Sequence, residues 1–122
     1  MYSVTLREET INVVYDKFIQ THPELIVYYD EEKLEHIRQD TQYHIEQLEA
    51  AAMYKMDSIF LDYVEWVNGV LTARGIATSM LINCFVWMKE VLEKHTQTKE
   101  HTYYTDLLTK GIHILTKSST LK

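Results

Sequence analysis

The chain has 122 residues, a formal charge of −6, 46% hydrophobic residues, three Gly, one Pro and one Cys. Strand-and-turn proteins need Gly and Pro to reverse the chain every eight to twelve residues or so, so this composition points to helices, in a single domain over residues 1–122. The acid excess argues against nucleic acid, which is bound by clustered Lys and Arg; the lone Cys84 excludes an internal disulfide, and no run approaches the roughly twenty apolar residues of a membrane span.

From Thr5 to about Thr21, Leu6, Ile11, Val14, Phe18 and Ile19 recur at helical spacing, and Pro23 ends that pattern and opens a short segment to Tyr29. Asp30 can cap a long helix from Glu31, with Glu31, Glu32 and Glu35 at the positive end of its dipole and a stripe of Leu34, Ile37, Thr41, Ile45, Leu48 and Ala52. Asp57 or Ser58 can cap a fourth element carrying Phe60, Tyr63, Val64, Val67 and Leu71 inward, which Gly75 stops. Thr78 or Ser79 opens the next, with Leu81, Phe85, Met88 and Leu92, and the polar stretch His95-Thr96-Gln97-Thr98-Lys99 reads as a loop. A last helix, Glu100 to Thr116, carries Tyr104, Leu107, Leu108, Ile112 and Leu115, with Ser118-Ser119-Thr120 expected to fray. Residues 31–50 are acid-rich and residues 94–122 hold five Lys, so the last helix is expected against the long acidic one, within the chain or across a dimer.

The row Glu32, His36, Asp40, His44 places four metal-ligating side chains one helical turn apart. A straight row offers an ion only two neighbours at once, so Glu32 and His36 read as a solvated face. Asp40 and His44 lie at the margin of the core stripe, where His44 can point inward with Asp40 holding its ring. An all-helical chain could also hold haem, with His44 as the best axial candidate. Gly-rich phosphate loops and nucleophile elbows are missing, and Cys84 sits in the apolar run Cys84-Phe85-Val86-Trp87-Met88, so no enzyme chemistry is expected. The aromatics and methionines around Phe60–Val67 and Phe85–Met88 are core material first. They are also what lines an adaptable apolar pocket, with Tyr hydroxyls and Arg74 or Arg38 available to hold a polar head.

The run Asp40-Thr41-Gln42-Tyr43-His44-Ile45-Glu46-Gln47-Leu48-Glu49-Ala50-Ala51, followed by Phe60-Leu61-Asp62-Tyr63-Val64-Glu65-Trp66 and Leu71-Thr72-Ala73-Arg74-Gly75-Ile76, resembles the sporulation-inhibitory sensor domains of spore-forming bacilli. These are similar to the N-terminal sensor region of a sporulation histidine kinase. The resemblance implies an all-α, globin-like bundle of five to six helices without haem, a cytoplasmic homodimer, and an apolar tunnel for a fatty acid with a halide ion nearby. It also implies a decoy that competes with the related kinase for its signal. An acyl chain gains about 0.8 kcal/mol per buried methylene, so a tunnel walled by Val64, Val67, Phe85 and Met88 would bind it, with His44, Tyr43, Tyr63 or an Arg selecting the carboxylate. The candidate ligand residues are therefore Asp40, Tyr43, His44, Tyr63, Val64, Trp66, Val67, Arg74, Phe85 and Met88. A haem or metal protein built on His44 is the alternative, and an antagonist that docks another protein by a helix face is a third.

Overall fold

Six helices make up the computed structural model, which describes residues 2–95 and 98–120, without the side chains of residues 119 and 120. They are α1 (Val4–Thr21), α2 (Glu24–Tyr28), α3 (Glu31–Tyr54), α4 (Asp57–Ala73), α5 (Thr78–Glu93) and α6 (Lys99–Thr120), and no strand occurs among the described residues. The fold is an all-α bundle. The expected loop at 95–99 includes residues 96 and 97, which lie outside the described residues, and α6 stays helical through Thr120 where fraying was expected. No helix among the described residues is long and apolar enough to cross a membrane.

Local chemistry sets the helix ends. Asp30 caps α3 by accepting from the Lys33 N–H at 2.9 Å, as the sequence indicated, and Ser3, which it did not single out, caps α1 by accepting from the Leu6 N–H. The other two expected caps are spent elsewhere. Asp57 is the first residue of α4 rather than its cap, because its carboxylate accepts from the Tyr103 hydroxyl at 2.6 Å and from Lys110 Nζ at 3.0 Å on α6. Thr78 likewise turns its hydroxyl inward, donating to Asn68 Oδ1 at 3.0 Å, a buried tie between α5 and α4. Gly75, at φ +85°, closes α4 in a Schellman turn, with Ile76 N–H on the Leu71 carbonyl and Gly75 N–H on that of Thr72. The same turn ends α3, but there the left-handed residue is Lys55, at φ 54°.

The core is one cluster drawn from all six helices, with Val14, Ile45, Leu48, Phe60, Val64, Phe85, Met88, Leu92 and Leu108 fully sealed. Helix α6 packs chiefly on α5 and α4 and touches α3 as well. At Gly111 an added Cβ would stand 3.3 Å from both Phe60 and Val64 and 3.5 Å from Phe85. A side chain there requires Phe60 and Val64 to give way by a few tenths of an ångström. Helices α1 and α3 are tied by Arg7 to Glu49 and by Arg38, which donates to Asn12 Oδ1 at 2.7 Å and lies 4.0 Å from the centre of the Tyr15 ring.

Candidate ligand cavity and its mouth

Helix α3 turns Thr41 and His44 inward and leaves Asp40 half-buried beside them, the 3.6-residue period setting which side chains face the interior. Opposite stand Phe18 of α1, Leu25 of α2, and Leu81 and Cys84 of α5. Together with Tyr29, Ile37, Leu71, Ile76 and Met80 these residues line a partly open cavity of about 60 Å³, walled almost entirely by apolar atoms. A water needs about 10–15 Å³ by such a measure, and a cavity of roughly 150 Å³ is known to take benzene, so this one accepts a few heavy atoms.

The cavity shares Tyr29, Ile37, Asp40 and Ile76 with an outer groove of about 280 Å³, whose remaining walls are Lys33, His36 and Arg74. The Schellman turn at Gly75 is what sets Arg74 and Ile76 side by side at this mouth. Burial pushes the Asp40 carboxyl above its ordinary range, against the opposing pull of Arg74 and His36. Lys33 Nζ lies 5.7 Å from the centre of the Tyr29 ring, which places it over the rim. Three basic side chains thus face one acid.

On the other side of Asp40, a second groove of about 310 Å³ runs between α3 and α4, lined by Asp40, Tyr43, Gln47, Tyr63, Trp66, Val67, Val70, Leu71 and Arg74. Tyr43 and Trp66 are 52% and 64% exposed, so this groove is a surface feature. His44 stands between it and the inner cavity. It is 1% exposed, packs edge-on to Phe85, and its Nδ1 is 2.6 Å from the Tyr63 hydroxyl. Burial lowers its pKa to about 3 and pushes that of Tyr63 up, so the ring is neutral and the phenol keeps its proton.

The sequence-derived candidates fall into three groups. Asp40, Tyr43, Tyr63, Trp66, Val67 and Arg74 come together around the α3–α4 groove. His44 forms part of the inner cavity wall, held by Tyr63 of the facing helix rather than by Asp40 of its own. Val64, Phe85 and Met88 are sealed in the packed core, and the cavity takes its walls from other residues. Arg38 is committed to Asn12 and Tyr15. The walls contributed by Phe18, Leu25, Tyr29, Ile76 and Met80 were not anticipated; the turn signals at Pro23 and Gly75 mark the two corners that bring them in.

Cys84 is buried, and burial pushes its thiol up to about 12, so it is a wall and not a nucleophile. Among the described residues no three His, Cys, Asp or Glu side chains gather in a way that could hold a metal ion, and the row from Glu32 to His44 splits between the rim and the interior. The inner cavity is far smaller than a haem ring, so ligation by His44 would require the wall to part. No family model, curated protein or solved structure matches the chain.

Proposed function

We propose that the protein is a ligand-binding sensor domain for an amphiphilic carboxylate of the fatty-acid type, with the head at the Lys33–His36–Arg74 mouth and the chain directed inward past Ile37 and Ile76. The observation that carries this reading is an apolar chamber that shares Tyr29, Ile37, Asp40 and Ile76 with a groove in which three basic side chains face one half-buried acid. Each methylene that leaves water contributes about 0.8 kcal/mol, and a guanidinium at the entrance adds direction by pairing with a carboxylate. The chamber as it stands takes only the first few atoms of a chain; a longer one lies along the groove or parts Met80 and Leu81 of α5.

The regulatory part of the reading rests on the sequence resemblance alone: a cytoplasmic, globin-like homodimer without haem that binds a halide as well as the acid and competes with a sporulation histidine kinase for its signal. By mass action such a decoy acts only at a concentration comparable with that of its ligand. Native mass spectrometry of the freshly purified protein, followed by denaturation in the same run, tests both parts. Release of a fatty acid from a dimer supports them. A haem or metal adduct, or an apo-protein that takes up no added fatty acid, refutes the reading. The exposed aromatics Tyr43 and Trp66 on the α3–α4 face favour the protein-docking alternative in that last case.

A further inference from the structure

The inner cavity borders a polar atom that the fold does not use. Two of its other polar wall groups are turned onto the protein itself: Thr41 Oγ1 donates to the Ile37 carbonyl at 3.0 Å, and Cys84 Sγ lies 4.0 Å from Met88 Sδ. His44 differs. The 2.6 Å between its Nδ1 and the Tyr63 hydroxyl is the length of an O–H donor rather than an N–H donor, and we assign the phenol as donating to Nδ1 on that ground. The neutral ring then carries its own proton on Nε2. Among the described residues Nε2 has no hydrogen-bond partner, yet it is not one of the sealed unpartnered atoms, which are Tyr2 Oη, His22 Nε2 and Thr105 Oγ1. His44 is almost completely buried, so the open space that Nε2 borders is the cavity.

We propose that His44 Nε2–H is a fixed hydrogen-bond donor for a carbonyl oxygen on the buried part of the ligand, which makes the preferred ligand a keto-acyl carboxylate rather than a plain saturated one. This rests on the carboxylate reading given above. Space, charge and donor count select the class together. The chamber accepts a few heavy atoms, the size of a ketone with its neighbouring carbons. A neutral imidazole in an apolar chamber cannot compensate a second carboxylate, whereas a carbonyl asks for a single donor. A hydroxyl would accept from Nε2–H but bring a proton that needs an acceptor of its own, whereas a carbonyl needs nothing beyond the one donor. Tyr63, which reaches His44 from the far side of the wall, is a positioning residue: it fixes which nitrogen carries the proton.

The test is calorimetric titration of the lipid-stripped full chain with decanoic acid and a positional series of ketodecanoic acids, alongside long-range ¹H–¹⁵N spectra of the histidine rings. At least one keto isomer is expected to bind roughly tenfold tighter than decanoic acid, the size of one well-made hydrogen bond. His44 should show the Nε2–H tautomer, and its resonance should move with that isomer and stay put with decanoic acid. In Tyr63→Phe the preference should shrink toward unity while decanoic acid still binds. Equal affinity across the series, or an Nδ1–H tautomer, overturns the proposal and leaves the carboxylate reading standing. Failure of every acid to bind removes that reading, and this proposal with it.

Discussion

Acid should unfold this protein through His44, and the size of the effect follows from its burial. The unfolded chain takes up a proton on this residue near pH 6.5, whereas the folded chain refuses it until about pH 3. Between those values the unfolded state binds one more proton than the native state, so stability falls as pH drops through the window, by about 1.36 kcal/mol per unit. From about pH 7 to about pH 5 the loss is therefore about 2 kcal/mol, a large share of the roughly 5–15 kcal/mol that holds a domain folded. His44 is 1% exposed, so bulk solvent screens little of this away.

Urea unfolding followed by circular dichroism at the two pH values reads the loss as a fall in midpoint of about 1 M. The control is His44→Phe, which removes the titration and keeps an aromatic ring against Phe85. Its absolute stability changes for other reasons; the quantity of interest is the slope with pH. Neither Tyr63 from α4 nor Cys84 from α5 contributes to it, because burial pushes both upward, away from the acid window. Asp40, on the same helix as His44, is present in both proteins and cancels in the comparison. Equal loss of stability in wild type and His44→Phe would refute the reasoning.

Lys55→Gly should stabilise the protein by about 1 kcal/mol, visible as a rise of roughly 4 °C in melting temperature, because Lys55 holds a left-handed conformation that costs a residue with a Cβ about that much. Gly111→Val should destabilise by about 1–3 kcal/mol in the same assay, since Phe60 and Val64 would stand closer to an added Cβ than ordinary contact and Phe85 at contact distance; Gly69→Ala, with nothing within 4 Å, should gain up to about 1 kcal/mol. At the mouth, Arg74→Glu should weaken decanoic acid binding about tenfold and Asp40→Asn should tighten it, both read by calorimetry; the same sign for both would show that the head binds elsewhere.

Most of the architecture is legible in the spacing of apolar residues. From Thr41 onward the stripe read on α3 is within a residue of what is buried, Leu34 and Ile37 before it being half-buried, and the stripes on α4, α5 and α6 also lie within a residue of buried positions. Capping was legible only where a side chain had no better partner. Ser3, which the sequence reading passed over, and Asp30, which it named, face solvent and cap. Asp57 and Thr78 were equally plausible by type, yet Tyr103 and Lys110, far along the chain, claim Asp57, and Asn68 on the preceding helix claims Thr78. The turn at Lys55 was hidden for the opposite reason: its Schellman hydrogen bonds are made by backbone atoms, and the glycine that usually announces such a turn is missing.

The void itself was the least legible element, and the reason is geometric. Val64, Phe85 and Met88 look like pocket residues because they are large and apolar, but side chains of that kind at the centre of a bundle fill space. Space is left where regular packing is interrupted, at the corner that Pro23 and the short α2 make with Tyr29, and at the turn that Gly75 makes before Ile76. Asp40 borders the inner cavity and both grooves because it lies on the helix that passes between these two corners. His44, one turn further on, is set deeper, where α4 can hold it through Tyr63. Burial keeps the ring neutral, and holding it from the neighbouring helix leaves its second nitrogen to the chamber.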